Sequence, residues 1–274
     1  MRVRVWRRRA VRLALPVVAA AVVWSPVAAA GPPAAGLPVV PGDDGQPTQP
    51  FIVGGSDTST DEHPWMVALT DAAASPYCGG ALVGPDRVVT AAHCVANRDQ
   101  AELTVIAGRT DMRTSEGVET GVRQVWVHPG FDGDPMGGDD VAVLTLEREP
   151  GYRTLPLNED PSAYQPGTPA TVLGWGYTDE SGPSSPVLQE VDVPLQSDSD
   201  CSGTYSQYDA SEMVCAGDPE GERDACYGDS GGPLVVDGRL IGVTSWGTGC
   251  ARPGLPGVYV RISSYADDLQ AQLS

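Results

Sequence analysis

From residue 52 onward, apolar residues come in short runs rather than in long amphipathic stretches. Residues 87–90, 102–106, 122–127, 141–146, 170–173, 187–193, 240–245 and 257–262 are each rich in Val, Ile, Leu or Thr, and turn residues separate them. That alternation predicts β-strands. With 33 Gly and 25 Pro to join them, many short strands point to an all-β antiparallel sandwich or barrel. The last stretch, 263–273, reads as a short C-terminal helix. Tyr265, Leu269 and Leu273 recur at helical spacing, and Ser263 or Ser264 can cap them. No internal repeat is visible in the sequence.

The first fifty residues follow another pattern. Residues 1–30 combine a basic start, Arg7-Arg8-Arg9 included, an apolar run over 13–27 and the small residues Ala28-Ala29-Ala30. This reads as a secretory signal peptide. A membrane anchor is the alternative, but the run is short and Pro16 and Pro26 break it. Residues 31–51 are rich in Pro and Gly and lack any cation, as in a disordered propeptide or a retained linker. What remains, 52–274, has the length of one all-β domain. It is strongly acidic: eleven Arg against 34 Asp and Glu, a formal −23, with no Lys anywhere in the chain. Such a surface argues against nucleic acid and anionic membranes as partners. It favours basic peptides, or serves only solubility and adaptation to salt. Six Cys in a secreted chain imply disulfides, with fifteen pairings open, and none has the spacing of a zinc site.

Candidate chemistry centres on Gly228-Asp229-Ser230-Gly231-Gly232-Pro233. Glycines around one serine expose its hydroxyl and let successive N–H groups converge where an oxyanion would form. A serine nucleophile needs a base, and the base needs a group that fixes its tautomer. Of three His, His63 and His128 each precede a proline and read as loop residues. His93 follows a strand, in Thr90-Ala91-Ala92-His93-Cys94. Asp140 opens the apolar run Val141-Ala142-Val143-Leu144, with Asp139 as a polar loop neighbour.

These three segments, with Gly174-Trp175-Gly176 and Ile52-Val53-Gly54-Gly55, resemble those of the trypsin-like serine proteases of the chymotrypsin family. The resemblance runs from Ile52 almost to the C-terminus and keeps the order His93, Asp140, Ser230. It implies two packed six-stranded antiparallel β-barrels with the active site between them. It also implies a secreted endopeptidase in which Ser230 attacks, His93 shuttles the proton and Asp140 orients His93. Gly228 and Ser230 N–H groups would form the oxyanion hole. Implied disulfides are Cys78–Cys94, Cys201–Cys215 and Cys226–Cys250.

The resemblance extends to specificity and activation. Asp224, six residues before Ser230, would sit at the base of the primary pocket, with Ala225, Ser245, Trp246, Gly247 and Gly257 along its walls. That implies cleavage after Arg, and less well after Lys. Many trypsins have Ser where Ala225 stands, and a hydroxyl helps an ammonium more than a guanidinium. Cleavage before Ile52 would free an ammonium that pairs with a buried Asp229. Residue 51 is Phe rather than a basic residue, so another protease is expected to activate the zymogen. Activity should rise as His93 loses its proton and fall at alkaline pH as the Ile52 ammonium is lost. No cofactor is expected. Glu116 and Glu119 lie where some trypsins bind calcium, but the match is poor and solvated carboxylates are the better reading. Protein substrates, protein inhibitors and a monomeric state complete the expectation. A catalytically dead binding protein or a protease of chymotrypsin-like specificity are the alternatives.

Overall fold

The described residues, 52–71 and 75–273 of a computed structural model, form thirteen strands and two short helices. The signal-peptide and propeptide readings fall on 1–51, outside them. All described residues belong to the unit Pro47–Ser274.

After the two-residue β1 (Ser56–Asp57), six strands close a barrel: β2 (Met66–Thr70), β3 (Pro76–Gly84), β4 (Arg87–Thr90), β5 (Thr104–Ala107), β6 (Val118–Val127) and β7 (Ala142–Leu146). Their order is β2-β3-β4-β7-β6-β5, with every pair antiparallel. Closure leaves no unpaired strand edge. Every residue of β2 and β7 is buried, because one face fills the barrel and the other is covered. β2 therefore lacks the polar alternation of a half-exposed strand.

The second half contains β8 (Pro169–Gly174), β9 (Gln189–Pro194), α1 (Asp198–Thr204), β10 (Met213–Ala216), β11 (Pro233–Val236), β12 (Arg239–Trp246) and β13 (Gly257–Arg261). The sheet order is β1-β9-β8-β11-β12-β13-β10. A bridge between Leu195 and Ala216, with Gln196 N–H donating to the Cys215 carbonyl at 2.9 Å, draws β9 and β10 together. The expected six-stranded barrel is thus matched by β8–β13, and β1 adds a seventh strand on the outer part of β9. A register shift in β12 between Thr244 and Trp246 lies at Ser245. Bulges of this kind turn neighbouring side chains to different targets.

After β13 the chain makes a 3-10 turn, Ile262–Tyr265, and ends in α2 (Ala266–Leu273). Leu269 of α2 is fully buried in the core cluster that also holds Leu144 and Val88 of the first barrel. Arg87 Nε donates to the Gln272 carbonyl at 2.9 Å, a cation on the last turn of the helix. α1, which the apolar pattern does not predict, starts at Ser197, whose hydroxyl accepts from Asp200 N–H at 3.1 Å. All three implied disulfides are present: Cys78–Cys94, Cys201–Cys215 and Cys226–Cys250.

Leu144 has no exposed surface at the centre of β7. Leu144→Ala is expected to lower the unfolding free energy by about 2–5 kcal/mol. A urea titration of the variant beside the parent checks this; a loss well under 1 kcal/mol would mean the barrel core collapses around the gap.

Candidate active site

His93 sits in the 3-10 turn Ala92–Cys94 at the end of β4, and Cys94 is tied to β3 by its disulfide. Asp140 lies just before β7, which pairs with β4, so the two strands bring them together. His93 Nδ1 and Asp140 Oδ2 are 2.7 Å apart, and His93 N–H donates to Oδ1 at 2.8 Å. Asp140 is 1% exposed and also accepts from Ser245 Oγ at 2.6 Å. A carboxylate on Nδ1 holds that nitrogen as the N–H, which leaves the Nε2 lone pair free to take a proton. Sequence reasoning placed Ser245 on the pocket wall. The structure also puts its hydroxyl on Asp140, a contact no local pattern shows.

Ser230 lies in the turn before β11. Its carbonyl accepts from Gly79 N–H of β3 at 2.7 Å, and Gly231 N–H donates to the Thr244 carbonyl at 2.8 Å. Both barrels therefore fix the backbone of this turn. Gly228 has φ +95°, in the region that favours glycine, and a Cβ there would lie 3.0 Å from Gly176 Cα. Among the described residues, neither Gly228 N–H nor Ser230 N–H is taken by a protein acceptor. Ser230 Oγ makes no hydrogen bond to His93 among the described residues either; His93 Nε2 lies 3.7 Å from Cys94 Sγ. Cys78, His93 and Cys94 are close enough to hold a metal, but their two sulfurs are spent on a disulfide.

A cavity of about 200 Å³ opens beside Ser230. Asp224, Ala225, Ser245, Trp246, Gly247 and Gly257 all line it. Asp224 is 3% exposed at one wall. Its Oδ1 accepts from Ala225 N–H at 2.8 Å, and Ala251 N–H lies 3.4 Å from Oδ2. Burial pushes the carboxyl up to about 7 despite those donors. A Cβ at Gly257 would come within 2.9 Å of Asp224 Oδ1. At the mouth, Tyr227 is half exposed and meets Tyr177 edge to face at 6.0 Å. Sequence reasoning passed over this aromatic pair, because neither tyrosine belongs to an apolar run.

Asp229, beside Ser230, is completely buried. Its Oδ1 accepts from Gly176 N–H at 2.8 Å and its Oδ2 from Cys226 N–H at 2.9 Å. Burial again pushes the carboxyl up to about 7. Ile52 is fully buried in the cluster that holds Ala225 and Tyr259, and the Val53 carbonyl lies 3.3 Å from Asp224 N. The segment after residue 51 is therefore packed against the loop that carries Asp224 and Ala225. Among the described residues, no Arg or His forms an ion pair with Asp224 or Asp229.

The two other histidines have structural partners. His63 Nε2 lies 2.7 Å from Glu190, and His128 Nδ1 lies 3.0 Å from Asp139. Asp139 keeps φ +55° directly before Asp140. Glu119 is not simply solvated, since its carboxylate accepts from Arg109 Nη2 at 2.8 Å.

The Ser230 turn thus lies against the barrel that carries His93 and Asp140, an arrangement that suits a serine hydrolase. The trypsin family profile matches residues 52–269. A protein named trypsin from Saccharopolyspora erythraea is 48% identical over 224 residues, covering 81% of this chain and 98% of that protein. Trypsin eta of Drosophila melanogaster is 41% identical over 231 residues, covering 81% and 88%. Trypsin-1 of Astacus astacus is 38% identical over 238 residues, covering 80% and 99%. The chain belongs to the trypsin family. It is a serine endopeptidase, a hydrolase of protein substrates that needs no cofactor.

The raised carboxyls have a pH signature. While residue 51 remains attached, the Ile52 nitrogen is an amide and Asp229 has no cation. A carboxyl raised in the folded state binds more protons there than in the unfolded chain. Its contribution to stability is full below about pH 4 and is lost as pH rises toward about 7. The uncleaved protein should therefore lose stability over that window, and Asp229→Asn should flatten the slope. Denaturant midpoints at several pH values read this; an unchanged slope in the variant would show that Asp229 does not cause it.

Proposed function

We propose that this protein is a secreted, trypsin-like endopeptidase that cleaves after Arg, and less well after Lys, once freed at Ile52. The observation that carries the specificity is Asp224: a buried carboxylate at the wall of the cavity beside Ser230, with no Arg or His of the described residues in an ion pair with it. A substrate guanidinium supplies that cation in bidentate geometry. A neutral side chain leaves the carboxylate buried and unpaired, and that penalty is the discrimination. Ala225 brings no hydroxyl to help an ammonium, so the Arg preference should exceed that of trypsins with Ser at this position.

His93 Nε2 takes the Ser230 hydroxyl proton as Oγ bonds to the scissile carbonyl carbon. The free N–H groups of Gly228 and Ser230 receive the oxyanion. His93 then gives the proton to the leaving amine as the C–N bond breaks, and the acyl group stays on Ser230. Water, deprotonated by His93, releases it. Asp140 keeps Nδ1 protonated and stabilises the imidazolium, and Ser245 holds Asp140. The Ser230–His93 hydrogen bond forms as substrate settles, since such bonds often tighten only in the complex.

Residues 1–30 act as the signal peptide and 31–51 as the propeptide. The new Ile52 ammonium pairs with Asp229, fixing the loop that carries Gly228. The mature enzyme works as a monomer outside the cell, and protein inhibitors that present Arg or Lys fit the same cavity.

Hydrolysis of matched Arg, Lys and Phe p-nitroanilide peptides by protein starting at Ile52 tests this reading. Arg should be cleaved fastest and Phe not at all. Ser230→Ala should lose on the order of 10⁵–10⁶ in rate, and Asp224→Ser about 10³-fold or more on Arg. Equal turnover of Arg and Lys would discard the role given to Ala225, and Ser230-dependent cleavage after Phe would discard the role of Asp224. Activation is tested separately. Purified proenzyme given a trace of mature enzyme should stay uncut at Phe51–Ile52, and rapid cleavage there would sink the requirement for a second protease.

A further inference from the structure

Calcium is the metal that the resemblance raises, at Glu116 and Glu119, and the residues present do not fit it. Arg109, in the loop between β5 and β6, places its guanidinium between Glu116 and Glu119. The side chain is 5% exposed. Its Nε donates to the Glu116 carbonyl at 2.7 Å and its Nη2 to Glu119 Oε1 at 2.8 Å. Arg148 Nη2 donates to the Glu119 carbonyl at 2.5 Å. Calcium needs about six to eight oxygen ligands. Here the carboxylate and carbonyls that would serve are bound to guanidinium groups, and a divalent ion would meet a fixed positive charge at contact distance.

We propose that Arg109 is the resident cation of this loop in place of a calcium, so that the loop is held without any divalent metal. The loop has a task that needs such a tie. The Thr110 carbonyl accepts from Trp175 Nε1 at 3.1 Å and from Leu188 N–H at 2.9 Å. Met112 N–H donates to the Pro186 carbonyl at 2.7 Å. These bonds join the first barrel to the segments flanking β8 and β9. Trp175 is followed by Gly176, whose N–H donates to Asp229. The guanidinium therefore braces the junction one residue from the Asp229 cradle. A chelator can remove a bound ion, whereas a covalently attached guanidinium stays and stays charged.

The test does not depend on the peptidase reading, because it measures stability and metal binding. Full-chain protein carrying Ser230→Ala, to prevent self-digestion, is melted in EDTA and in about 5 mM CaCl₂, above the range in which extracellular calcium modules bind. The same protein is titrated with calcium by calorimetry. Its Tm should agree between the two buffers to about 1 °C, without saturable binding. Adding Arg109→Gln should lower the Tm by about 5 °C or more in both buffers. Adding Arg109→Glu instead places a second carboxyl beside Glu119 and the Glu116 carbonyl. Its Tm should be low in EDTA and recover in calcium. Should that variant not fold, the parent and the Arg109→Gln protein decide. A Tm rise in calcium for the parent that Glu119→Gln abolishes would overturn the proposal, as would an Arg109→Gln protein that melts with the parent.

Discussion

Two buried carboxylates, without a cation among the described residues, set the terms for this site. Asp224 and Asp229 lie five residues apart in one loop, and among the described residues each is satisfied by backbone N–H groups alone. Such donors offset part of the cost of removing a charge from water, and both groups still rise to about 7. A fold that tolerates this has to hold the loop rigidly, or water would enter and relax the charges. The rigidity is visible: Cys226 is bonded to Cys250, Gly176 and Cys226 cradle Asp229, and Gly79 and Thr244 of opposite barrels grip the Ser230 turn. On the function proposed above, these two unpaired acids are where a substrate cation and the chain's own new terminus would bind.

The two barrels divide the labour. The first supplies His93 and Asp140 from paired strands, and the second supplies the Ser230 turn and the cavity. Neither barrel contains a complete site, so their relative placement is itself a functional quantity. Ser245 spans that division, with its backbone in β12 and its hydroxyl on Asp140. The bulge at Ser245 lets that side chain turn to Asp140 while Trp246 lines the cavity and meets Tyr205 edge to face at 5.0 Å. A regular strand would send adjacent side chains to opposite faces of the sheet, with less choice of angle.

Much of this was legible in the sequence because the chemistry is concentrated in short segments. The glycines around Ser230 and the register of Asp140 before an apolar run are local, and so is His93 beside a cysteine. Strands β4, β6, β7, β8, β12 and β13 were legible too, since their β-branched runs are dense. β2 was not, since burial on both faces erased its alternation. β3 was hidden by Gly79, Gly80 and Gly84, which allow close approach but carry no apolar signal. What stayed out of reach was long-range. The hydroxyl of Ser245 on Asp140 spans 105 positions, and Thr110 meets Trp175 across 65. No periodicity encodes such pairs.

The acidity of the chain gives its few cations unusual weight. With eleven Arg and no Lys after residue 51, a long-range negative potential surrounds the domain. It attracts cations from solution, more strongly at low salt. The same potential raises the cost of leaving carboxylates close together inside, and two buried arginines answer it. Arg109 closes the loop on Glu119. Arg261 donates to Asp198 at 2.5 Å and to the Met213 carbonyl at 2.9 Å, and lies over the Tyr164 ring at 4.5 Å. Each joins segments far apart in the chain through a planar fork of donors, a geometry that an ammonium cannot match. Among the described residues no arginine pairs with Asp224 or Asp229, and on the proposed function the cation there comes from substrate or from cleavage.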